Sequence, residues 1–285
     1  MVHAALESII AQGLDCSDEE LHQRVQAFGR EQLKKLYGDE EIPSSMQNYF
    51  QVLLTRIERL LTLFRKEFEH SEFVPAAFEQ PVGKGGVDPV VIPLEEGTLS
   101  MIGIVDRVDV YERDGVKYLR VVDYKTGEKK FSFEKIQNGI DIQMLMYLYA
   151  LQQNLYPGQT CLPAGVQYVG SNPATVTAQR NQPEAVISLS WEDKTPRSGV
   201  YLKDNGVLHA MDATEERKFL RIKDNSSKFL ITLEQFGTLF GQISRCLAEM
   251  GNELHRGKIA KNPLKIGREY ESCRFCDLRF TCRHP

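Results

Sequence analysis

Residues 103 to 127 read GIVDRVDVYERDGVKYLRVVDYKTG, and the spacing of their charged residues is specific enough to argue chemistry from. Asp114-Gly115 stands between two runs of alternating apolar and polar residues, the pattern of a hairpin closed by a two-residue type I′ turn. Without a bulge the turn sets Arg113 against Val116, and counting back along both strands sets Asp106 against Asp123. The same register pairs Glu112 with Lys117 and Asp109 with Arg120, opposite charges in both cases. It assigns Ile102, Ile104, Asp106, Val108 and Val110 to one face, with Leu119, Val121, Asp123 and Lys125 on the matching face of the second strand. Asp109 and Glu112 fall to outer or turn-proximal pairs. Two carboxylates thus oppose each other within a mostly aliphatic surface. Opposed like charges are destabilising and buried charge of one sign is costly, so something positive belongs between them. Carboxylate oxygens suit Mg²⁺ or Mn²⁺. Lys125 leaves the strand on the same side as Asp123 and can reach a group bound there. A cation to polarise phosphate and activate water, with an ammonium to orient the water or neutralise developing charge, makes the parts of phosphodiester hydrolysis. The competing reading of the same residues is a solvated surface hairpin.

The elements that must carry this hairpin follow from periodicity. Ser17 to Glu20 fits a capping box, after which Leu21, Val25, Phe28, Gln32 and Leu36 recur at helical spacing until Gly38. Beyond Pro43, Phe50, Leu53, Leu54, Ile57, Leu60, Leu61, Phe64 and Phe68 form one apolar stripe, which core packing explains. From about residue 73 the period becomes two, with strand-like segments at Phe73 to Val82, Leu99 to Tyr111 and Val116 to Tyr124 around a loop rich in Gly and Pro. A helix over Phe133 to Gln153, a strand at Ala164 to Val169, another near Ala185 to Leu189, and a helix opened by Thr232 to Gln235 and running to about Arg256 complete the reading. The fold class is α/β: a mixed central sheet flanked by helices. The chain reads as a single domain, 1–285, with a helical part over 1–72, a catalytic sheet and helix over 73–190, and C-terminal helices with a cysteine segment over 191–285.

With GIVDRVD, VVDYKTG and then QMLMYLYAL on the page, the chain resembles the PD-(D/E)xK nucleases of the RecB type, whose core is restriction-endonuclease-like. His3-Ala4-Ala5-Leu6-Glu7 matches that family's HxxLE element, and Gln143 with Tyr147 its QxxxY element. The resemblance implies that Asp106 and Asp123 are metal ligands, that Lys125 is the catalytic lysine, and that His3 is a further ligand at the metal's edge. Glu79, in AAFEQPV, stands where related nucleases carry an acidic residue on the preceding strand. Gln143 and Tyr147, four residues apart, lie on one helix face directed at the active centre or the DNA backbone.

Cys273, Cys276 and Cys282 crowd three thiols into a polar C-terminal segment. A structural zinc site or an iron–sulfur cluster normally takes four ligands, so a fourth must come from elsewhere. This spacing, together with GVYLKDNGVLHAMD over Gly199 to Asp212, resembles the AddB group of helicase–nuclease subunits, which implies a [4Fe–4S] cluster. The first ligand of that group should precede the HxxLE element. Here either Cys16 replaces it or the ligand is absent from the chain, and absence is the reading preferred. Cys161 and Cys246 read as small buried residues. The same resemblance implies a C-terminal nuclease part of such a subunit, acting with an AddA-like partner in double-strand break repair and cutting the 5′-terminated strand. A stand-alone single-strand exonuclease like the CRISPR-associated adaptation nucleases, and a non-catalytic iron–sulfur DNA-binding module, are the alternatives.

Composition bounds these readings. The 285 residues carry 35 Lys+Arg against 39 Asp+Glu, a net charge of −4, so any DNA contact must be local. Arg256 to Pro285 supplies a local excess of cations, with Lys258, Lys261, Lys265 and Arg268 as a candidate phosphate track. At 42% hydrophobic and 26% charged residues the chain is an ordinary globular one. It has no run of about 18 apolar residues, no secretory signal and no G-x-x-x-x-G-K-[ST] nucleotide loop. The expectations are a cytoplasmic setting with reduced thiols, no membrane contact and no motor activity of its own.

Overall fold

The computed structural model describes residues 1–171, 180–183, 194–222, 227–260, 262–267, 269–273 and 276–282. The strand expected near Ala185 to Leu189 lies outside the described residues, as do Lys261 and Arg268. The chain divides into two compact units. The first comprises Met1–Val90, Met101–Phe131 and Gln143–Phe240; the second comprises Val91–Ser100, Ser132–Ile142 and Gly241–Pro285.

Three helices open the first unit: α1 (Val2–Ile10), α2 (Asp18–Tyr37) and α3 (Ser44–Glu69). Ser17 caps α2 by accepting the Glu20 N–H through its hydroxyl, and Gly38, at φ 59°, ends it in a conformation that Cβ-bearing residues avoid. The apolar stripes close on each other as their spacing predicts. Leu21 and Val25 of α2 and Leu54, Ile57, Leu61 and Phe64 of α3 join Leu6 and Ile9 of α1 in one core that also takes in residues of the sheet below. Leu36, at the outer end of α2, is exposed.

The strands follow in chain order: β1 (Val74–Val82), β2 (Val91–Pro93), β3 (Thr98–Ser100), β4 (Gly103–Arg113), β5 (Val116–Lys125), β6 (Thr160–Gly170), β7 (Arg197–Leu202) and β8 (Leu230–Ile231). Six of them form a mixed sheet of order β1-β4-β5-β6-β7-β8, in which β5 and β6 run parallel, as do β7 and β8. The β4–β5 turn has positive φ at both Asp114 and Gly115, the type I′ geometry. The ladder runs from Arg113↔Val116 to Arg107↔Val122, in the register read from the turn.

Three expectations about this hairpin need correction. The ladder ends one pair short of Asp106 and Asp123. From there β4 stays with β1 as far as Gly103↔Val82, while β5 stays with β6 as far as Lys125↔Gly170, so the two strands part where the carboxylates begin. Ile102 and Ile104 are exposed rather than part of an aliphatic core face. Asp109, expected in an outer pair, is fully buried with Arg120 and Arg107, because α3 roofs that face and sets Glu67 among them.

The helix expected over Phe133 to Gln153 is two: α4 (Phe133–Gln137), in the second unit, and α5 (Gln143–Asn154), in the first. Between them Gly139 and Asp141 adopt φ 74° and 60°, which no helix continues through. Beyond β7 come α6 (Asn205–Met211) and α7 (Leu233–His255), the latter opened by a reciprocal capping box between Thr232 and Gln235. The second unit holds the β2–β3 hairpin, a two-stranded β9 (Lys265–Ile266) and β10 (Glu269–Tyr270), a 3₁₀ turn at Glu271–Cys273 and the short α8 (Arg279–Cys282). Within it, Asn252 accepts the Glu95 N–H and Lys135 pairs with Glu271 at 2.7 Å.

Candidate active site

The site lies where β4 and β5 separate. Asp106 is half-buried there, and its Oδ2 accepts the Tyr124 backbone N–H at 2.7 Å, so a side chain takes over where the ladder stops. Across β4 lies β1. Phe78 pairs with Arg107 and Gln80 with Val105, which leaves Glu79 level with Asp106, at φ 44° and outside the ladder. A β-region residue forced to positive φ costs of order 1–3 kcal/mol, and such strain collects at functional sites. The third element is α1, anchored by its buried face of Ala5, Leu6, Ile9 and Ile10, which brings His3 Nδ1 to 3.5 Å from Asp106 Oδ1. The His3 ring meets Tyr124 edge-on at 5.8 Å between centroids.

His3, Glu79 and Asp106 each offer a ligand atom within 4.8 Å of the others, the one such group of three among the described residues. One imidazole nitrogen and two carboxylate oxygens, only partly buried, fit a hard or borderline divalent cation, and the oxygens favour Mg²⁺ or Mn²⁺. The electrostatics agree with a set of groups short of positive charge. The His3 imidazole is raised above its usual range by its bond to Asp106, against the opposing effect of burial. The Glu79 carboxyl is raised by burial and by the neighbouring charges of Asp106 and Glu7.

Asp123 and Lys125 follow on β5. Lys125 Nζ lies 2.9 Å and 2.7 Å from the two Asp123 oxygens, so this carboxylate is directed to the lysine rather than into the trio. Burial raises the Asp123 carboxyl above its usual range, with Lys125 acting the other way. Lys125 is 40% exposed, enough for its ammonium to meet a bound substrate.

Gln143 and Tyr147 pair with each other. Gln143 is exposed and donates its Nε2–H to Tyr147 Oη at 2.8 Å; Tyr147 is buried and donates its O–H to the Ile102 carbonyl at 3.2 Å. Both therefore anchor the entry of β4. That approach requires Gly103, since a Cβ there would stand 1.7 Å from Tyr147 Oη.

Sequence reasoning missed the ionic layer behind the site. Arg107, beside Asp106, points to the opposite face, where its Nη1–H donates to Tyr124 Oη at 2.8 Å and its Nε lies 2.8 Å from Asp109. Arg120 bridges Asp109 at 2.7 Å and Glu67 at 3.2 Å, and Arg197 meets Glu67 at 2.8 Å. The signal available was the run of charged residues at odd positions of β4, which reads as a solvated face unless one knows that α3 covers it.

The remaining candidates are in the second unit or apart from the trio. Lys258 pairs with Glu253 and Lys265 stands over the Tyr270 ring, both exposed. Cys273, Cys276 and Cys282 enter no group of three ligand atoms among the described residues, and no disulfide joins any of the six cysteines. Cys16 packs half-buried against the core of the first unit, and Cys161 is buried in β6. Among the described residues no helix is long and apolar enough to cross a membrane.

Comparison with known proteins adds two findings. The model of the PD-(D/E)XK nuclease superfamily matches residues 1–283. The B subunits of bacterial ATP-dependent helicase/deoxyribonucleases are similar to the chain. That of Ruminiclostridium cellulolyticum is 28% identical over 89% of this chain and 24% of its own length, and that of Listeria monocytogenes is 28% identical over 98% and 26%. The chain spans about a quarter of the length of these relatives.

Proposed function

The chain belongs to the PD-(D/E)XK nuclease superfamily, and from that premise we propose that it is a divalent-metal-dependent deoxyribonuclease whose active centre is the cleft between β4 and β5. The observation that carries the reading is the convergence of His3, Glu79 and Asp106 beside an Asp123–Lys125 pair at the point where two strands part. In this reading Asp106, Glu79 and His3 hold Mg²⁺ or Mn²⁺, with Asp123 as the adjoining donor. The cation, when bound, supplies Lewis-acid activation of the phosphate and of water.

The chain's own groups do the rest. Asp123 holds the Lys125 ammonium at the cleft, ready to orient the attacking water and to meet charge developing on the phosphate. Tyr147 fixes the start of β4, and the exposed Gln143 amide, with one Nε2–H on Tyr147, has a second to offer a phosphate oxygen. Tyr124 N–H holds Asp106 in place. Lys258 and Lys265 of the second unit, with Lys261 and Arg268 in the sequence beside them, are candidate contacts to DNA phosphates.

The similarity to helicase/deoxyribonuclease subunits supports a wider reading: an exonuclease part acting on the 5′-terminated strand in double-strand break repair and recombination, in the cytoplasm, with an AddA-like helicase–nuclease partner. Residues 1–285 then act as one nuclease domain. A [4Fe–4S] cluster on Cys273, Cys276 and Cys282 rests on the cysteine spacing and the AddB resemblance, since among the described residues these thiols enter no group of three ligand atoms. No part of the reaction is assigned to it, and iron and acid-labile sulfide content decide it.

The test is Mg²⁺- or Mn²⁺-dependent cleavage of end-labelled single- and double-stranded DNA by the full chain. Lys125→Met and Asp106→Asn are expected to lower the rate by about 10²-fold or more. Cleavage unchanged in both variants would remove the active-site assignment, and a wild-type chain that binds DNA without cleaving it would leave the non-catalytic DNA-binding reading.

A further inference from the structure

We propose that Arg107 and Tyr124 are positioning residues for the Asp106 carboxylate: the buried Arg107–Tyr124 hydrogen bond holds from behind the backbone N–H that fixes Asp106 Oδ2 in the cleft. The inference deepens the metal-site reading given above and rests on it.

The geometry is a two-sided one. Tyr124 sits on β5 between Asp123 and Lys125, so strand alternation sends its side chain to the face away from theirs. That side chain is buried, and its Oη accepts the Arg107 Nη1–H at 2.8 Å. Its backbone N–H meets Asp106 Oδ2 at 2.7 Å, and its ring supports His3. Arg107 follows Asp106 on β4 and likewise turns to the far face. There Asp109 binds it through Nε and Nη2, at 2.8 Å and 3.0 Å, and the Phe64 and Phe68 rings lie 5.2 Å and 5.3 Å from its guanidinium carbon. An arginine held this way has little rotational freedom left to lose.

Arg107↔Val122 is also the last ladder pair before the strands part. Beyond it two links tie β4 to β5 at the site: Arg107 to the Tyr124 hydroxyl behind the sheet, and Tyr124 N–H to the Asp106 carboxylate at the cleft. With the first released, the Tyr124 peptide can tilt and Asp106 loses a fixed donor. Groups that orient a ligand carboxylate typically account for ten-fold or more of metal affinity.

Tyr124→Phe in the full chain removes only the hydroxyl. A matched control exists on the same hairpin: Arg113 Nη2–H donates to Tyr118 Oη at 3.0 Å near the turn, remote from the cleft. Tyr118→Phe therefore deletes the same kind of bond without touching the site. Mn²⁺ binding is measured by loss of the free-ion electron paramagnetic resonance signal, beside the Mn²⁺ concentration for half-maximal cleavage. Tyr124→Phe is expected to weaken both by about ten-fold, with the rate at saturating Mn²⁺ little changed, while Tyr118→Phe moves neither. Equal Mn²⁺ binding by wild type and Tyr124→Phe overturns the positioning role. A wild-type chain that binds no Mn²⁺ overturns the metal reading and this inference together. Should Tyr124→Phe fail to fold, the wild-type protein still decides: the assigned Tyr124 amide resonance must shift on titration with Mg²⁺, and an unmoved resonance overturns the role.

Discussion

Asp106 serves two masters, and the consequence is measurable without any metal. Its Oδ2 is the acceptor for the N–H of Tyr124, a residue that is 3% exposed. Removing a buried partner leaves the donor unsatisfied at about 1–3 kcal/mol. Asp106→Ala is therefore expected to lower stability by about that much relative to Asp106→Asn, which keeps an oxygen at the same place. Both variants abolish the repulsion between Asp106 and Glu79, so the difference between them isolates the hydrogen bond. Urea unfolding in chelator-treated buffer gives the comparison, and equal midpoints and slopes for the two would refute the structural role of the carboxylate. At this scale much of the site was legible: the Asp114-Gly115 turn fixes the register, and the register brings Asp106 and Asp123 to the same level of the hairpin. The family resemblance already set His3 and Glu79 beside Asp106; that Asp123 turns to Lys125 was not legible, because it depends on where β4 leaves β5 for β1. Nor does composition foretell Glu79 at positive φ; that follows from its place between two ladder pairs.

Between elements, the tightest constraint is the crossing of α5 over the entry of β4. Tyr147 reaches the Ile102 carbonyl only because residue 103 has no side chain: a Cβ there would fall 1.7 Å from Tyr147 Oη and 2.7 Å from its Cζ. The ring cannot give way easily, since Tyr147 is 1% exposed and surrounded by packed neighbours on α5. Gly103→Ala is expected to destabilise the fold by about 1–3 kcal/mol, the usual cost of an overpacked core. It should also reduce cleavage more than that loss of stability explains, by displacing the strand that carries Asp106. Thermal unfolding with activity measured well below the transition separates the two; full activity in a destabilised variant would show that the contact is structural only. Helix and strand positions were largely readable from period and caps, as with Ser17 and Thr232. The break at Gly139 and Asp141 was not, because the residues of α4 and α5 share one apolar rhythm across it, and a single glycine is no proof of a stop. The burial of Asp109 escaped for a related reason. Period-two alternation says which residues share a face, but not whether a helix lies on it.

For the chain as a whole, the buried ion layer ties sequence-distant segments of the first unit to one another: Glu67 from α3, Arg107 and Asp109 from β4, Arg120 from β5, and Arg197 from β7. Two carboxylates stand among three guanidinium groups, so neither acid can be lost cheaply. Burial alone would raise the Glu67 carboxyl, but Arg197, Arg120 and Arg107 outweigh it and hold it at about 2, below its ordinary 4.5. A depressed value means that the unfolded chain takes up a proton before the folded one does. Glu67 thus contributes its full stabilisation above pH of about 4.5 and loses it as the pH falls toward about 2. Glu67→Gln removes the charge at every pH, leaving Arg197 without its counter-ion and Arg120 with Asp109 alone, at an expected cost of about 3–5 kcal/mol. The two effects share one cause, so they must cancel: the variant should be markedly less stable than wild type at pH 7, and the gap should narrow as both are acidified through the window between 4.5 and 2. Denaturant titrations of wild type and Glu67→Gln at a series of pH values decide it. A gap that stays constant with pH would mean that Glu67 matters for its shape in the core and not for its charge. The arginine layer behind Asp106 would then have to draw its balance from Asp109 alone.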